Sequence, residues 1–356
     1  MREAGAADGR AARAEILGLK GTLAASAVER QYARQPGVWE RYGEAGRRKA
    51  VADGEYHVAF LAEAVSADAP VLFLDYVRWA RQLFEGLGFP ADALQVAIQC
   101  TMDALADLAT PAAFAVARPV LEQALAQLAA GGDDLPSFIM EGNPLASEAR
   151  AWLDRLLEGR RTDAEGLISA LVERGASLSD VYLKVFQPGL RDLGRLWQLS
   201  RITVAQEHYC TAATQLMMAR LSGRLFGTRA GSSGKRLVAA CVQGELHEVG
   251  IRMIADLFEM QGWDTDYVGA STPPASAARM AAGRRADVLA VSATMTYHLE
   301  ELRSVVAAAR QASPRLKIIV GGRLVNLAPD LWRSVGADGS AMDAEGALDL
   351  ATRLAG

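Results

Sequence analysis

The sequence has few cysteines, no concentration of positive charge and no long apolar run, and each absence argues against a class of protein. Its three cysteines, Cys100, Cys210 and Cys241, show no paired spacing, which indicates neither a disulfide framework nor a zinc site. The formal net charge is −4, and the lysines and arginines form no cluster of the kind that binds nucleic acid. No apolar run is long enough to span a bilayer, and the first residues lack the pattern of a signal peptide. These features predict a cytoplasmic protein that contacts neither a membrane nor nucleic acid directly.

The last third of the chain alternates short apolar segments with segments of helical spacing. Five segments have the composition of β-strands: 235–242, 264–268, 286–292, 317–322 and 337–340. The segments between them have the apolar spacing of helices. This alternation is typical of βαβ units and predicts a Rossmann-like parallel α/β domain over residues 231–356.

Residues with chemical or conformational roles follow three of these strands. They are Glu245, His247 and Gly250 after the first strand, Ser292 and Thr294 at the third, and Gly321 and Gly322 at the fourth. Because the carboxyl ends of parallel strands meet at one edge of the sheet, we expect these residues to share one ligand crevice. An imidazole there can bind a metal, and a carboxylate often orients its second nitrogen. The alternative is that all of them are ordinary turn residues.

These spacings resemble the cobalamin-binding Rossmann-like domain of corrinoid methyltransferases, mutases and B12 photoreceptors. The shared pattern is an acid and a histidine two residues apart with a glycine three residues later, then Ser-x-Thr, then Gly-Gly. The resemblance implies that His247 displaces the dimethylbenzimidazole base of cobalamin and ligates cobalt from below. It also implies that the released nucleotide tail runs past the later residues of the pattern. Glu245 departs from the family's aspartate, but the longer acid can still accept the same hydrogen bond.

Residues 146–230 precede the sheet and are predicted to be a helical bundle, interrupted mainly at Pro188-Gly189. Trp197, nine further residues and then Glu207-His208 form a spacing that resembles the four-helix cap of light-sensing B12 proteins. The resemblance implies that Trp197 packs beside the upper axial group of adenosylcobalamin. It also implies that Glu207 and His208 lie above the corrin, where His208 can coordinate cobalt after light breaks the cobalt–carbon bond. The alternative is a core tryptophan and a solvated Glu-His pair.

Residues 1–145 have few strand signals and about five helical segments. Three of these segments begin at or near a proline, a residue favoured in the first turn of a helix: Pro70–Leu87, Pro90–Leu108 and Pro111–Ala130. The segment is therefore predicted to be an all-α domain of globin-like size. It is rich in aromatic residues, most of which we expect in its core. His57 has no second histidine nearby in sequence with which to hold a haem.

A degenerate globin-like domain in front of the cap and the B12 domain resembles the photocobilins, photoreceptors that carry cobalamin and a linear tetrapyrrole such as biliverdin. The resemblance implies a bilin site in residues 1–145, with polar groups near the pyrrole nitrogens and cations for the propionates. Tyr56 and His57 are the candidate polar groups. Other side chains of suitable type are Arg47, Lys49, Arg78 and Trp79. Cys100 could form a thioether, but we predict non-covalent binding, and a solvated charge is the alternative for each cation.

Two functions are compatible with this pattern. The first is a non-enzymatic light sensor that binds adenosylcobalamin base-off and rearranges its domains or protomers on photolysis. The second is a corrinoid carrier that moves a methyl group between methyltransferases. A carrier needs an open upper face, which Trp197 and His208 would obstruct, so the sequence favours the light sensor. We expect its signal to pass through a homo-oligomer or to a signalling partner.

Overall fold

The computed structural model describes residues 2–132, 135–228 and 231–356, with the side chains of all of these except 2–7 and 224–228. The chain divides into two compact units. The N-terminal unit comprises Met1–Asp134, Met295–Glu300 and Leu327–Ser334, and the cap–sheet unit comprises Leu135–Thr294, Glu301–Asn326 and Val335–Gly356. Among the described helices, none combines the length and the apolar character needed to cross a membrane.

The N-terminal unit is built mainly from helices. Those in its first segment are α1 (Arg2–Gly18), α2 (Lys20–Arg34), α3 (Pro36–Trp39), α4 (Gly43–Ser66), α5 (Pro70–Gly86), α6 (Ala93–Leu108) and α7 (Pro111–Ala129), with a 3-10 turn at Glu40–Tyr42. Pro70 and Pro111 lie in the first turns of α5 and α7, as predicted. α6 begins three residues after Pro90, because Ala93 N–H donates to the Pro90 carbonyl in a turn. α2 packs against α4 and α6, and α1 packs against α4 and α7.

The cap is the helical first part of the cap–sheet unit. Its helices are α8 (Ala146–Leu157), α9 (Arg161–Glu173), α10 (Leu178–Asp180), α11 (Gln187–Gln198) and α12 (Val204–Thr228), with a π-helix at Val181–Phe186. The fully buried Trp152 lies in its core, with its ring 5.1 Å from that of Phe186. A Cβ added at Gly189 would lie 2.5 Å from the Trp152 ring, so this glycine lets α11 approach α8 closely.

Pro188 does not break the helical chain, contrary to the prediction. The residues before it form the π-helix, and Gln187 N–H donates to the Tyr182 carbonyl, five residues back. Proline has no N–H, so the Lys184 carbonyl lacks the donor that an α-helix would supply four residues later. Asn143 Nδ2 donates to that carbonyl instead, at 2.7 Å. The π-turn and this side chain together accommodate the proline inside a continuous helical segment.

The sheet has five parallel strands in the order β2-β1-β3-β4-β5. The strands are β1 (Arg236–Cys241), β2 (Asp264–Gly269), β3 (Val288–Ser292), β4 (Lys317–Gly321) and β5 (Gly339–Ser340). The helices in this part of the chain are α13 (Val249–Met260), α14 (Pro274–Arg284), α15 (Leu299–Ala312), α16 (Arg323–Leu327), α17 (Leu331–Val335), most of which belongs to the N-terminal unit, and α18 (Ala344–Leu354). α13 and α14 both pack on β1, which explains the continuous apolar sequence of that strand. The predictions of a helical N-terminal region, a helical cap and a C-terminal Rossmann-like domain are confirmed.

Candidate functional site

The residues predicted at the edge of the sheet follow strands that are neighbours in the structure. The chain runs from β1 outward to β2 and then returns to β3 on the other side of β1, so the ends of β1 and β3 border a crevice. Cys241 at the end of β1 is paired in register with Ser292, which is paired in turn with Gly321 of β4. The loops that follow these three strands therefore meet at one edge of the sheet.

A buried glutamate orients the histidine of the first loop. The Glu245 side chain is fully buried, and its Oε1 lies 2.6 Å from His247 Nδ1 and accepts from His247 N–H at 3.0 Å. Its Oε2 accepts from Thr294 N–H at 2.7 Å, so one carboxylate joins the loops after β1 and β3. The hydrogen bond that His247 makes to Glu245 is the main cause of the raised pKa of His247. The His247 side chain is 61% exposed, and Nε2 is the ring nitrogen left for a ligand.

The cap carries a second carboxylate–histidine pair near the start of α12. Thr203 and Gln206 form a capping box, in which each side chain accepts from the backbone N–H of the other residue. The helix therefore begins just before Glu207 and His208, which we call the cap pair. His208 Nδ1 lies 2.5 Å from Glu207 Oε2, and the His208 side chain is 74% exposed. The Glu207 carboxylate also contributes, less than Glu245, to the raised pKa of His247.

Trp197 lies in the last turn of α11 and is half-buried. The tryptophan that is fully buried in the cap is Trp152, whose Nε1–H donates to Met217 Sδ at 3.5 Å. α11 packs against α12, the helix that bears the cap pair. Trp152 is thus enclosed in the core of the cap, while Trp197 keeps part of its surface accessible.

Two sequence profiles described as B12 binding domain match the chain, over residues 235–351 and over residues 148–222. The chain carries a cobalamin-binding module. The chain is 31% identical over 135 residues to the HTH-type transcriptional repressor CarA of Myxococcus xanthus. This match covers 38% of this chain and 44% of CarA. It is 29% identical over 178 residues to the repressor CarH of the same organism, covering 49% of this chain and 58% of CarH. The chain thus spans about half the length of these curated relatives.

Among solved structures, the monomethylamine corrinoid protein of Methanosarcina barkeri is similar to this chain. The TM-score is 0.53 with 17% sequence identity, over 59% of this chain and 99% of that protein. At this identity the similarity shows a shared fold of cap and sheet, and it carries no information about the reaction.

The donor groups at the end of β1 are of a type that a bound cobalamin could use. A single imidazole whose Nδ1 is fixed by a carboxylate is suited to one axial position on a metal, and His247 is such a group. A Cβ at Gly250 would meet no heavy atom within 4 Å, so the first turn of α13 borders open space next to that loop. Residues of the module could therefore hold the cofactor at the end of β1.

The lack of a side chain at the glycine pair that ends β4 has a different structural reason from that at Gly250. Gly322 has φ +92°, and a Cβ there would lie 2.4 Å from the Ala293 carbonyl oxygen. A Cβ at Gly321 would lie 3.3 Å from the Ala341 carbonyl oxygen. Contacts with the protein's own backbone thus account for the lack of a side chain at Gly322. Ser292 is buried at the end of β3, beside these glycines.

The two candidate polar groups for a bilin have different environments in the N-terminal unit. His57 is buried, and its Nδ1 lies 2.7 Å from the Tyr76 hydroxyl. Burial lowers the pKa of His57 to about 4, so this imidazole is neutral at pH 7. Tyr56 is exposed, and its ring lies 5.9 Å from that of Tyr297. Of the two, only Tyr56 offers an accessible side chain on α4.

The other candidate residues for a bilin site also differ in their environments. Arg47 and Lys49 each form an ion pair with a carboxylate, while Arg78 is exposed. Trp79 stacks with the tyrosine that contacts His57, at 6.1 Å between ring centroids. Cys100 is fully buried, and burial raises the pKa of its thiol, which makes it a poor nucleophile for a thioether.

Sequence reasoning missed Glu248, the residue after His247. Its carboxylate accepts hydrogen bonds from Gln215 Nε2 at 2.9 Å, Tyr267 Oη at 2.8 Å and Ala270 N–H at 3.1 Å. The only signal in the sequence was a second acid on the same short loop. Its three partners are 19, 22 and 33 residues away along the chain, so local patterns do not reveal them.

Proposed function

We propose that the protein is a light sensor that binds adenosylcobalamin base-off, with His247 as the lower ligand of cobalt. The observation that carries the proposal is the cap pair, a second exposed histidine with its Nδ1 on a carboxylate. A protein that held cobalamin only from below would need one such pair. A second one provides a protein ligand for the opposite face.

Bound adenosylcobalamin would supply the light-sensitive element, since its cobalt–carbon bond breaks when the cofactor absorbs light. The protein's own residues have separate tasks in this proposal. Glu245 fixes the tautomer and direction of the His247 ring. Trp197 would shield the side of the cofactor that faces the cap, and Glu207 would hold the His208 ring in its orientation.

The alternative is a corrinoid carrier that presents a methyl group to methyltransferases. The fold shared with a corrinoid protein is compatible with this role. A carrier must open its upper face to partner enzymes, however. The exposed His208 and the half-buried Trp197 are suited to occupy that face, which supports the light sensor.

The absorption spectrum of the purified protein tests the proposal. The protein is loaded with adenosylcobalamin in the dark, and spectra are recorded before and after green light. We expect the band pattern to change to that of cobalamin ligated by two histidines. In His208→Ala we expect an unchanged dark spectrum and a different photoproduct. A spectrum that light does not alter, together with methyl transfer from methylcobalamin-loaded protein to the acceptor substrate of a methyltransferase, would support the carrier instead.

We extend the proposal to a bilin, such as biliverdin, bound by residues 1–145. The exposed Tyr56 and the aromatic rings around His57 support it. Because His57 is engaged with Tyr76, Tyr56 is the better placed of the two to touch a chromophore. Titration with biliverdin should produce a red absorption band, and Tyr56→Phe should shift it. If no red band appears with or without cobalamin, this region has a structural or partner-binding role.

The output we propose is a change in packing between protomers or with a signalling partner. In this division of tasks, residues 1–145 hold the bilin, 146–230 form the cap and 231–356 bind cobalamin. Light scattering of the loaded protein in the dark and after illumination measures any change in oligomeric state. A mass that light does not change would point to a separate partner.

A further inference from the structure

Glu248 makes hydrogen bonds that its place in the sequence does not predict. It is the N-cap residue of α13, where an acid commonly caps the helix, but its side chain makes no capping hydrogen bond. Instead its two carboxylate oxygens accept from Gln215 on α12, from Tyr267 on β2 and from the backbone of Ala270. We call this group the Glu248 bridge. It connects the residue after His247 to both the cap and the edge strand.

The sheet side of the Glu248 bridge depends on an irregularity in β2. The pairing of β1 with β2 skips one residue, Val268, which is a β-bulge. The next residue, Gly269, has φ +94°, and a Cβ there would lie 3.2 Å from Glu248 Oε2. Because of the bulge and the glycine, the Tyr267 hydroxyl before them and the Ala270 N–H after them both reach Glu248 Oε2.

The cap side of the Glu248 bridge lies on the helix that carries the cap pair. Glu207, Thr211 and Gln215 are four residues apart and therefore lie along one face of α12. Thr211 Oγ1 donates to Glu207 Oε1 at 2.8 Å, and Gln215 donates to Glu248. This face leads from the cap pair to the residue that follows His247.

We propose that Glu248 is a positioning residue that holds α12 in register, so that His208 faces the same cobalt as His247. The inference rests on the proposed function in one respect, that His208 ligates cobalt once the upper group has left. The Glu248 bridge itself consists only of protein groups. Breaking its bond to Gln215 leaves Glu245 and its three hydrogen bonds in place. The lower ligand should therefore remain, while coordination through His208 is lost.

A second hydrogen bond between the cap and α13 offers a matched control. Tyr182 Oη donates to Asp256 Oδ2 at 2.8 Å, about two turns further along α13 than Glu248. Tyr182 belongs to the π-helix and not to α12. Tyr182→Phe therefore loosens the cap at another point without touching the face of α12 that carries the cap pair.

The Glu248–Gln215 contact can be broken and rebuilt by exchanging its two side chains. Gln215→Glu places two carboxylates against each other and removes the donor. The double variant Gln215→Glu/Glu248→Gln restores the donor and acceptor in reverse order. In that variant the amide oxygen at 248 can still accept from Tyr267 and Ala270, while its nitrogen donates to the new carboxylate.

The first experiment measures coordination in protein loaded with hydroxocobalamin, with His208→Ala and His247→Ala as spectral references. In Gln215→Glu we expect the ratio of cobalamin ligated by His208 to cobalamin not ligated by it to fall about tenfold or more, which corresponds to ~1.4 kcal/mol. The spectral signature of His247 should be kept. Tyr182→Phe should keep both signatures, and the double variant should recover to within about twofold. A wild-type ratio in Gln215→Glu, an equal loss in Tyr182→Phe, or a folded double variant without recovery would each overturn the proposal.

The second experiment uses the protein without cobalamin and measures hydrogen exchange in residues 204–215. We expect exchange about tenfold faster in Gln215→Glu, and wild-type exchange in Tyr182→Phe and in the double variant. Unchanged exchange in Gln215→Glu overturns the proposed positioning of α12. A His247→Ala protein that binds cobalamin as wild type overturns the proposed function. In that case the exchange measurement still tests whether the Glu248 bridge positions α12.

Discussion

Glu245 is completely buried, yet it holds at 2.6 Å the Nδ1 of His247, whose side chain is mostly exposed. Burying a carboxylate is costly unless its oxygens are hydrogen-bonded. Here two backbone N–H groups, from His247 and Thr294, satisfy it together with the ring nitrogen. The backbone of two loops therefore fixes the carboxylate, and the carboxylate fixes the imidazole.

Removing the charge of Glu245 should weaken cobalamin binding. In Glu245→Gln the carboxylate that orients the ligand is lost, and changes of this kind typically cost about 10- to 100-fold in metal affinity. The affinity is measured by titrating the apo-protein with cobalamin and following its absorption. Asp264→Asn, which alters an exposed acid at the opposite end of β2, is the control and should bind as wild type. Wild-type affinity in Glu245→Gln would contradict the role of this carboxylate.

Illumination should reveal the role of His208. Its ring is exposed and its Nδ1 is held by Glu207, so Nε2 can coordinate a metal without rearrangement of the pair. We expect His208→Ala to bind adenosylcobalamin in the dark as wild type and to give a photoproduct that lacks a second histidine ligand. Glu207→Gln should give an intermediate result, because it loosens the orientation of the ring but keeps it. Identical photoproducts in all three proteins would remove His208 from the site.

Substitutions at two glycines should separate folding from cofactor binding. Gly322→Ala forces a Cβ to 2.4 Å from a carbonyl oxygen at φ +92°, and should destabilise the apo-protein by about 2 kcal/mol or more. Gly250→Ala meets no atom within 4 Å, so the apo-protein should keep its stability. We expect Gly250→Ala to weaken cobalamin binding instead, since its methyl group would enter the space beside His247. Thermal unfolding and cobalamin titration of both variants measure the two effects, and equal loss of stability in both would contradict this distinction.

The parts of the fold that the sequence predicted are those specified by local patterns. The apolar run of β1 and its abrupt end before Glu245 located the loop of His247, because strand and helix periodicities change within a few residues there. Long-range contacts were not predictable in the same way. The bond from Asn143 to the Lys184 carbonyl, which lets Pro188 continue a helix, joins residues 41 apart.

The same limit applies to the candidate site. His247 was recognisable from its place after a strand, two residues from an acid, and His208 from its spacing to Trp197, which resembles a known cap. The role of Glu248 depends on Gln215, 33 residues away, and on a bulge in β2. Neither feature changes the local hydrophobic pattern, so only the three-dimensional structure reveals the contact.

The buried His57 should make the N-terminal unit sensitive to acid. Burial lowers its pKa from 6.5 to about 4, with Asp53 opposing the shift and Tyr76 Oη on its Nδ1. As the pH falls from 6.5 towards 4, the unfolded chain takes up a proton at this histidine and the folded unit does not. The stability contributed by neutral His57 is therefore present above pH 6.5 and is lost towards pH 4. A shift of this size corresponds to about 3 kcal/mol in full, of which about 2 kcal/mol is lost by pH 5.

His57→Gln keeps a side chain that can bond the Tyr76 hydroxyl but does not titrate, so it isolates this contribution. The free energy of unfolding is measured at pH 7 and pH 5 from hydrogen exchange in α4 and α5, corrected for the intrinsic effect of pH. We expect wild type to lose about 2 kcal/mol more than His57→Gln between the two values, because every other titrating group is common to both proteins. An equal pH dependence in the two proteins would mean that His57 is protonated as readily in the folded unit as in the unfolded chain.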